Sequence, residues 1–311
     1  GPAAEVLARA DVVPPLAELA RAVGWAEVPL SVREARRWVQ RDRLEPRLVA
    51  RPAAPVGPTT VRARGLGVSY GPVVALDGVS LELDAGRVVA LMGRNGAGKS
   101  TLLWALQGAL RSTGELEVAG ADPRRLGARA ARRVITLVPQ TAADLLYLPS
   151  VAAECARADR DADAVDGTTR ALLERLGLDL PPGADPRDLS EGQRLGLVLA
   201  IQLAAGPAVL LLDEPTRGLD YEVKHRLCAV LRGLAADGAT VLVSTHDVEF
   251  AAAVSDRTIM MADAQIVADG PTREVCTASP GFAPQLARVL APRPVLTLDD
   301  VDWSDAKAAR P

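Results

Sequence analysis

The sequence predicts an α/β fold, with a mostly parallel sheet joined by crossover helices. Three observations lead there. Residues 209–212 and 240–244 are short apolar runs of the kind buried on both faces of a parallel sheet. A helical pattern running to about Ala236 and closed by Gly238 lies between them, so strand and helix alternate. A further short strand, residues 88–92, runs into a glycine loop that opens a helix through Gln107.

At 311 residues the chain has length for roughly two domains. Apolar residues make up 49% and charged residues 24%, which excludes disorder for the bulk of it. The net charge of −3 counts against a general nucleic-acid binder. No apolar run approaches the ~18 residues of a membrane-crossing helix. Cys155, Cys228 and Cys276 are widely spaced, which fits a reducing cytosol better than a disulfide framework or a zinc site. Lysine occurs only at 99, 224 and 307, so basic positions are otherwise arginine.

Taken in order, residues 1–38 read as short helical pieces punctuated by Pro14, Pro15 and Pro29, with a helix over 32–39 capped by Ser31 and supported by Glu34. Arginines at 33, 36, 37, 41, 43, 47 and 51 form a basic stripe, read as a solvated linker face. Residues 50–58 are Pro/Ala-rich and predict a semi-rigid linker. Short strands follow at 61–70, 79–83, 88–92, 115–118 and 133–138. From 150 to 177 the pattern is helical and Ala-rich. Thr168 is the expected cap of a helix whose Leu172, Leu173 and Leu176 share a face, and Gly177 ends it.

Gly93-Arg-Asn95-Gly96-Ala97-Gly98-Lys99-Ser100-Thr101 matches a phosphate-cradling loop in full, between a strand and a helix. Its glycines let the N–H groups of Asn95 to Thr101 turn inward around a polyphosphate, and the helix N-terminus adds partial positive charge. Lys99 supplies a point charge to the β- and γ-phosphates and Ser100 a hydroxyl to Mg²⁺. The second element is the strand that ends in Asp213-Glu214, 114 residues beyond Lys99. It places both acids at the carboxyl edge of the sheet, beside the loop. Asp213 is expected to hold Mg²⁺, through water, and Glu214 to deprotonate an attacking water.

Leu189-Ser190-Glu191-Gly192-Gln193 precedes that strand end. Ser190 to Gln193 reads locally as a capping box, with Glu191 in the first turn where negative charge suits the helix dipole. With Tyr70, Gln140, Asp220 and His246, this stretch resembles the ATP-binding cassette (ABC) ATPases over about residues 59–270. The family's usual signature has Gly where this chain has Glu191.

The resemblance implies a P-loop NTPase (RecA-like) core with an antiparallel β subdomain and an α-helical subdomain at about 141–190. It implies that Tyr70 stacks on adenine, that Gln140 senses Mg²⁺ and the attacking water, and that His246 contacts the γ-phosphate. It also implies that Asp220 belongs to a loop crossing to the other cassette, and that Ser190, Gly192 and Gln193 reach that cassette's ATP. The implied cofactors are ATP and Mg²⁺. The implied partners are a second cassette, a transmembrane coupling subunit and a substrate-binding membrane subunit, without nucleic acid. The implied location is the cytoplasmic face of the cell membrane.

Pro139-Gln-Thr-Ala-Ala-Asp144 is similar to the glutamine loop of the energy-coupling-factor (cobalt- and vitamin-type) ATPases. Asp144 fits that loop's second acid, while Ala142, Ala143 and Leu145 depart from it. The tail from Phe282 to Asp300 resembles fused members of that branch. Another ABC importer class, or a non-transport ABC ATPase acting on ribosome or DNA, remains the alternative. The short linker and the 114-residue spacing fit ribosomal and coiled-coil repair ATPases poorly.

Finally, Gly1, Pro2, Glu5, Val6 and Pro15 match Gly270, Pro271, Glu274, Val275 and Pro284 at one offset of 269. The expected organisation is a preceding cassette's tail plus linker at 1–58, a cassette at 59–270 and a C-terminal tail at 271–311.

Overall fold

A computed structural model describes residues 13–49, 56–279 and 281–304. Its centre is a six-stranded sheet of β4 (Val88–Gly93), β6 (Ile135–Val138), β7 (Val209–Asp213), β8 (Thr240–Ser244), β9 (Arg257–Ala262) and β10 (Gln265–Pro271), in the order β10-β9-β4-β8-β7-β6. All neighbours are parallel except β10, which returns against β9 through Asp263 and Ala264, both in the left-handed region. Every residue of β4, β7 and β8 is buried, as their uninterrupted apolar runs require.

One face of this sheet packs on α3 (Lys99–Leu106) and on an antiparallel sheet of β2 (Thr59–Tyr70), β3 (Val73–Asp84) and β5 (Thr113–Val118). The other face packs on α7 (Glu191–Leu203), α8 (Tyr221–Ala236) and α9 (Val248–Val254), through Val198, Leu231 and Phe250. Each parallel strand is therefore covered on both sides, and both layers steer the loops at its carboxyl end.

Two local expectations change. The strand expected from 133 begins at Ile135, because α4 (Ala128–Val134) takes the two preceding residues. Thr168 is the first residue of α6 (Thr168–Arg175) rather than its cap. Gly167 holds that place with φ +91°. The orphan N–H groups are satisfied from another helix: Asp159, on α5 (Val151–Ala162), accepts from the N–H groups of Gly167 and Thr169, each at 2.8 Å. A cap supplied from a neighbouring helix has no local sequence pattern. These helices and the start of α7 share a core of Val151, Cys155, Leu173, Leu180 and Leu197.

The two ends of the described chain fold together. α1 (Pro15–Val23), α2 (Val32–Arg41) and α11 (Gln285–Leu290) bury Leu19, Val23, Trp25, Leu286, Val289 and Val295 in one cluster. β1 (Arg47–Leu48) pairs antiparallel with β11 (Val301–Asp302). Trp25 and Trp38 meet edge to face at 5.1 Å, and the Trp25 indole N–H donates to Asp42 at 2.7 Å. Ser31 caps α2 as expected, accepting from Glu34 N–H at 3.2 Å. Arg33, Arg36, Arg37, Arg41, Arg43 and Arg47 are exposed, as a solvated face should be. The linker residues 50–55, Arg51 and the repeat positions 1–6 lie outside the described residues.

A cavity of about 520 Å³ lies where this terminal unit meets α8 and α9. Glu18, His225, Glu249, Phe250, Leu286 and Asp299 are among its walls. Burial pushes the Glu249 carboxyl up to about 7, Asp247 and Glu18 push the same way, and the Gln285 N–H and Arg288 oppose them. The native state therefore holds a proton that the unfolded chain releases from pH 4.5 upward. Stability from this group is complete below about pH 4.5 and is lost as pH rises through about 7. Glu249→Gln keeps an acceptor for the Gln285 N–H and removes the titration. Its melting temperature is expected to exceed the parent's by about 3 °C at pH 8 and to match it near pH 4.5. Calorimetry at the two pH values measures this, and an equal difference at both would contradict it.

Candidate functional site

The parallel register assembles the site. Leu91 and Asp213 both stand opposite Ser244, on either side of β8, so the loops leaving β4, β7 and β8 emerge together. The loop after β4 crosses closely under the antiparallel sheet. At Gly98, φ is +100° and a Cβ would lie 2.5 Å from the Ala75 carbonyl oxygen. Only glycine fits there, so the loop's N–H groups can face the open side. Leu102 N–H returns to Gly98 O at 2.8 Å, and α3 begins directly at Lys99.

Lys99 is only 6% exposed. Its ammonium donates to Gly93 O at 2.9 Å and Arg94 O at 3.3 Å, and lies 3.9 Å from Glu214 Oε1. Glu214 is also buried and sits at φ +49°, a conformation that costs a non-glycine residue energy. The Glu214 N–H donates to Ser244 O at 2.9 Å, which holds it there. Its other carboxylate oxygen lies 2.6 Å from His246 Nδ1 and accepts from His246 N–H at 3.2 Å. His246 follows Thr245, whose N–H is tied to Leu91 O at 3.0 Å. Lys99, Glu214 and His246 thus converge from three strand ends, with the imidazole largely exposed.

Asp213 is the last residue of β7 and is buried, yet its Oδ1 has no hydrogen-bond partner. Ser244, its neighbour across the ladder, has an unpartnered hydroxyl as well. Unpaired buried polar atoms are costly and mark a place where a ligand completes the set. Among the described residues no group of three or more His, Cys, Asp or Glu is placed to hold a metal. A dication here would share Asp213 and the Ser100 hydroxyl with phosphate oxygens and water, which is how Mg²⁺ is usually held with a nucleotide.

Tyr70 ends β2 with 52% of its surface exposed. Gln140 is exposed two residues beyond β6, whose Val138 pairs with Leu212. Gln140 follows the carboxyl end of β6, while Tyr70 is still paired with Val73 of β3.

Ser190, Gly192, Gln193 and Asp220 form a second group. Ser190 Oγ accepts from Gln193 N–H at 3.3 Å and Gln193 Oε1 accepts from Ser190 N–H at 2.9 Å, the expected capping box. Asp220 caps α8, accepting from Val223 N–H at 2.9 Å. Gly192 lies against Val223, since a Cβ there would stand 2.9 Å from it. No side-chain hydrogen bond or ion pair joins these residues to Lys99, Glu214 or His246.

Sequence reading missed Asp247 and Lys224. Asp247 caps α9, accepting from the N–H groups of Glu249 and Phe250, and Lys224 donates to it at 2.6 Å. This pair ties the residue after His246 to the first turn of the helix that Asp220 caps. A signal existed: Lys224 is one of the chain's few lysines, one turn beyond Asp220.

Residues 76–217 match the family model described as ABC transporter. A Streptomyces coelicolor protein named for ABC-transporter ATP binding is 47% identical over 97% of this chain and 59% of its own length. The chain thus spans under two thirds of that relative. The cobalt import ATP-binding protein CbiO of Rhodobacter capsulatus is 37% identical over 71% of this chain and 83% of its own. Among solved structures, cbiO1 of Clostridium perfringens, part of the ABC transporter complex cbiONQ, has a TM-score of 0.64 at 25% identity, covering 76% of this chain and 96% of its own. A dimeric post-hydrolysis cassette, MJ0796 bound to ADP and Pi, has a TM-score of 0.60 at 26% identity, covering 68% of this chain and 98% of its own. The fold is accordingly the P-loop NTPase core with its antiparallel β subdomain and its helical subdomain. With its phosphate loop, paired strand-end acids and histidine in place, this chain belongs to the ABC transporter ATPases, which bind ATP with Mg²⁺ and hydrolyse it.

Proposed function

We propose that this chain powers solute import across the cell membrane as an energy-coupling-factor-type ATPase. The observation that carries the hydrolytic part is the Glu214 carboxylate, fixed 2.6 Å from His246 Nδ1 and 3.9 Å from Lys99, beside the unpartnered Asp213. The import assignment rests on likeness to the cobalt import ATPase and the cbiO1 structure.

In this reading, Tyr70 stacks on the adenine. The N–H groups of Asn95 to Thr101 and the Lys99 ammonium hold the β- and γ-phosphates. Mg²⁺, when bound, neutralises charge developing on the phosphate oxygens, with Ser100, Asp213 and Gln140 as its holders. Glu214 accepts the proton of the attacking water. His246 has Nδ1 engaged by Glu214, which leaves Nε2 for the γ-phosphate. Ser190, Gly192, Gln193 and Asp220 form the face offered to a second cassette, so that each ATP is closed in a head-to-tail pair.

That second cassette is read as the preceding part of the same polypeptide. The 269-residue offset repeat and the 59% coverage of the Streptomyces relative support this. So does the terminal unit, in which residues 13–49 share one core with the cassette's own tail. A transmembrane coupling subunit and a substrate-binding membrane subunit complete the machine on the cytoplasmic face of the membrane. Among the described residues no helix is long and apolar enough to cross a membrane.

Glu214→Gln keeps size and hydrogen bonding while removing the base. Phosphate release is expected to fall by about two orders of magnitude or more, with ATP still bound. Lys99→Ala is expected to weaken nucleotide binding itself, read by titration with a fluorescent ATP analogue. Near-parent turnover in Glu214→Gln would refute the base assignment.

Stacking on Tyr70 without contacts to the base edge predicts GTP turnover within about tenfold of ATP. A preference beyond about a hundredfold would require edge-reading groups.

Joining the upstream cassette in cis raises its local concentration to roughly millimolar. The chain alone is expected to be mostly monomeric at micromolar concentration. Turnover is expected to rise at least about tenfold when the upstream cassette is joined to it. A tight ATP-independent homodimer of this chain with full activity would sink the two-cassette reading.

A further inference from the structure

The cavity of about 520 Å³ between the terminal unit and the cassette has the size of sites that take small organic molecules, ~300–1,000 Å³. Phe250 of α9, Leu286 of α11 and Leu296 line it and are almost fully buried, so part of its wall is apolar. Two half-buried carboxylates line it as well, Glu18 from α1 and Glu249 from α9. Glu249 accepts from the Gln285 N–H at 2.7 Å, and among the described residues no cation forms an ion pair with it. Glu18 has His225 Nε2 at 3.6 Å, beyond hydrogen-bonding reach and on a ring that is 63% exposed.

Burial is the largest cause raising both carboxyls. Asp299 adds to it at Glu18, where His225 and Arg21 oppose, and Glu18 and Asp247 add to it at Glu249, where Arg288 opposes. The two acids therefore feel each other inside a partly dry space, and neither has a buried counter-ion. The basic residues of the wall do not reverse this balance. Lys224 is taken by Asp247 at 2.6 Å. Arg21 and Arg232 are exposed, where water and salt screen a charge far more than at a half-buried position. A proton relieves the two acids at low pH. An ammonium relieves them at higher pH, because it brings a positive charge and three N–H donors. Among the described residues no group of three or more His, Cys, Asp or Glu is placed to hold a metal ion, and the apolar wall favours an organic cation.

We propose that this cavity is a binding site for a small organic ammonium with an apolar or aromatic stem, its charge held between Glu18 of α1 and Glu249 of α9 and its stem against Phe250, Leu286 and Leu296. Bound there, the ligand ties the terminal unit to the cassette. Neither the transported solute nor a second cassette enters this inference.

The test is calorimetric titration of the full, nucleotide-free chain with phenethylammonium, compared with the neutral phenethyl alcohol and the anionic hydrocinnamate. At about pH 8 the ammonium is expected to bind at least about tenfold more tightly than either. Its affinity is expected to rise from about pH 6 to about pH 8, because Glu249 loses its proton near pH 7 while an alkylammonium, like lysine, stays charged. Glu18→Gln and Glu249→Gln each remove one carboxylate at constant size and are expected to weaken the ammonium about tenfold, with the pH dependence flattened in Glu249→Gln. Ala253→Leu fills space in the cavity without touching a charge and is expected to weaken the ammonium too. Melting curves establish that each chain is folded. Equal affinity for the alcohol, or tighter binding of the carboxylate, overturns the choice of a cation. Ammonium binding that survives all three substitutions lies elsewhere and overturns the site, as does absence of binding to the folded parent.

Discussion

The structure depends on the parallel register of β4, β8 and β7. With Leu91 and Asp213 on either side of Ser244, three strand ends deliver the phosphate loop, the acid pair and the histidine to one edge. A one-residue slip in β7 would turn every side chain to the opposite face and carry Glu214 away from His246. Such a slip is strongly resisted, because β7 is buried on both faces and locked between two neighbours. The apolar content of these strands is therefore a condition of the chemistry as well as of stability.

Around that edge the protein holds groups that are unfavourable in isolation. Glu214 sits in the left-handed region, kept there by one backbone hydrogen bond to Ser244 and by His246. Asp213 and Ser244 each present a buried unpaired oxygen. Lys99 is buried among loop carbonyls and close to the Glu214 carboxylate. These features are what a site built for a highly charged ligand and a dication looks like before they are counted. Buried oxygens left unpaired in this way are costly to hold.

The terminal unit adds a mechanical link. Its helices pack against α8 and α9 across the cavity that holds Glu18, His225 and Glu249. α8 begins at the Asp220 cap and α9 at Asp247, the residue after His246, and Lys224 bridges the two starts. The terminal unit is joined to these helices by the Gln285 N–H on Glu249 and by Glu18 beside His225. The protonation of Glu249 lies inside the same joint, so the stability of that joint and the pH are physically coupled.

Much of this was determined locally. The phosphate loop declares itself through glycines needed for backbone reasons, and the central strands through unbroken apolar runs. The capping box at Ser190–Gln193 and the Ser31 cap are i to i+3 patterns whose partners are fixed by helix geometry, and both formed as read. Contacts between distant residues were a different matter. Nothing in the segment 160–170 says that Asp159 caps the next helix, and nothing local says that Trp25 and Leu286 share a core. The Lys224–Asp247 pair, the Glu214–His246 contact and the strained Glu214 backbone likewise depend on sheet register. Local patterns report interactions a few residues apart, because helix and strand periodicity dictates them. Tertiary packing alone decides which remote groups meet, and so which charges are paired, which are buried and which are left open for a ligand.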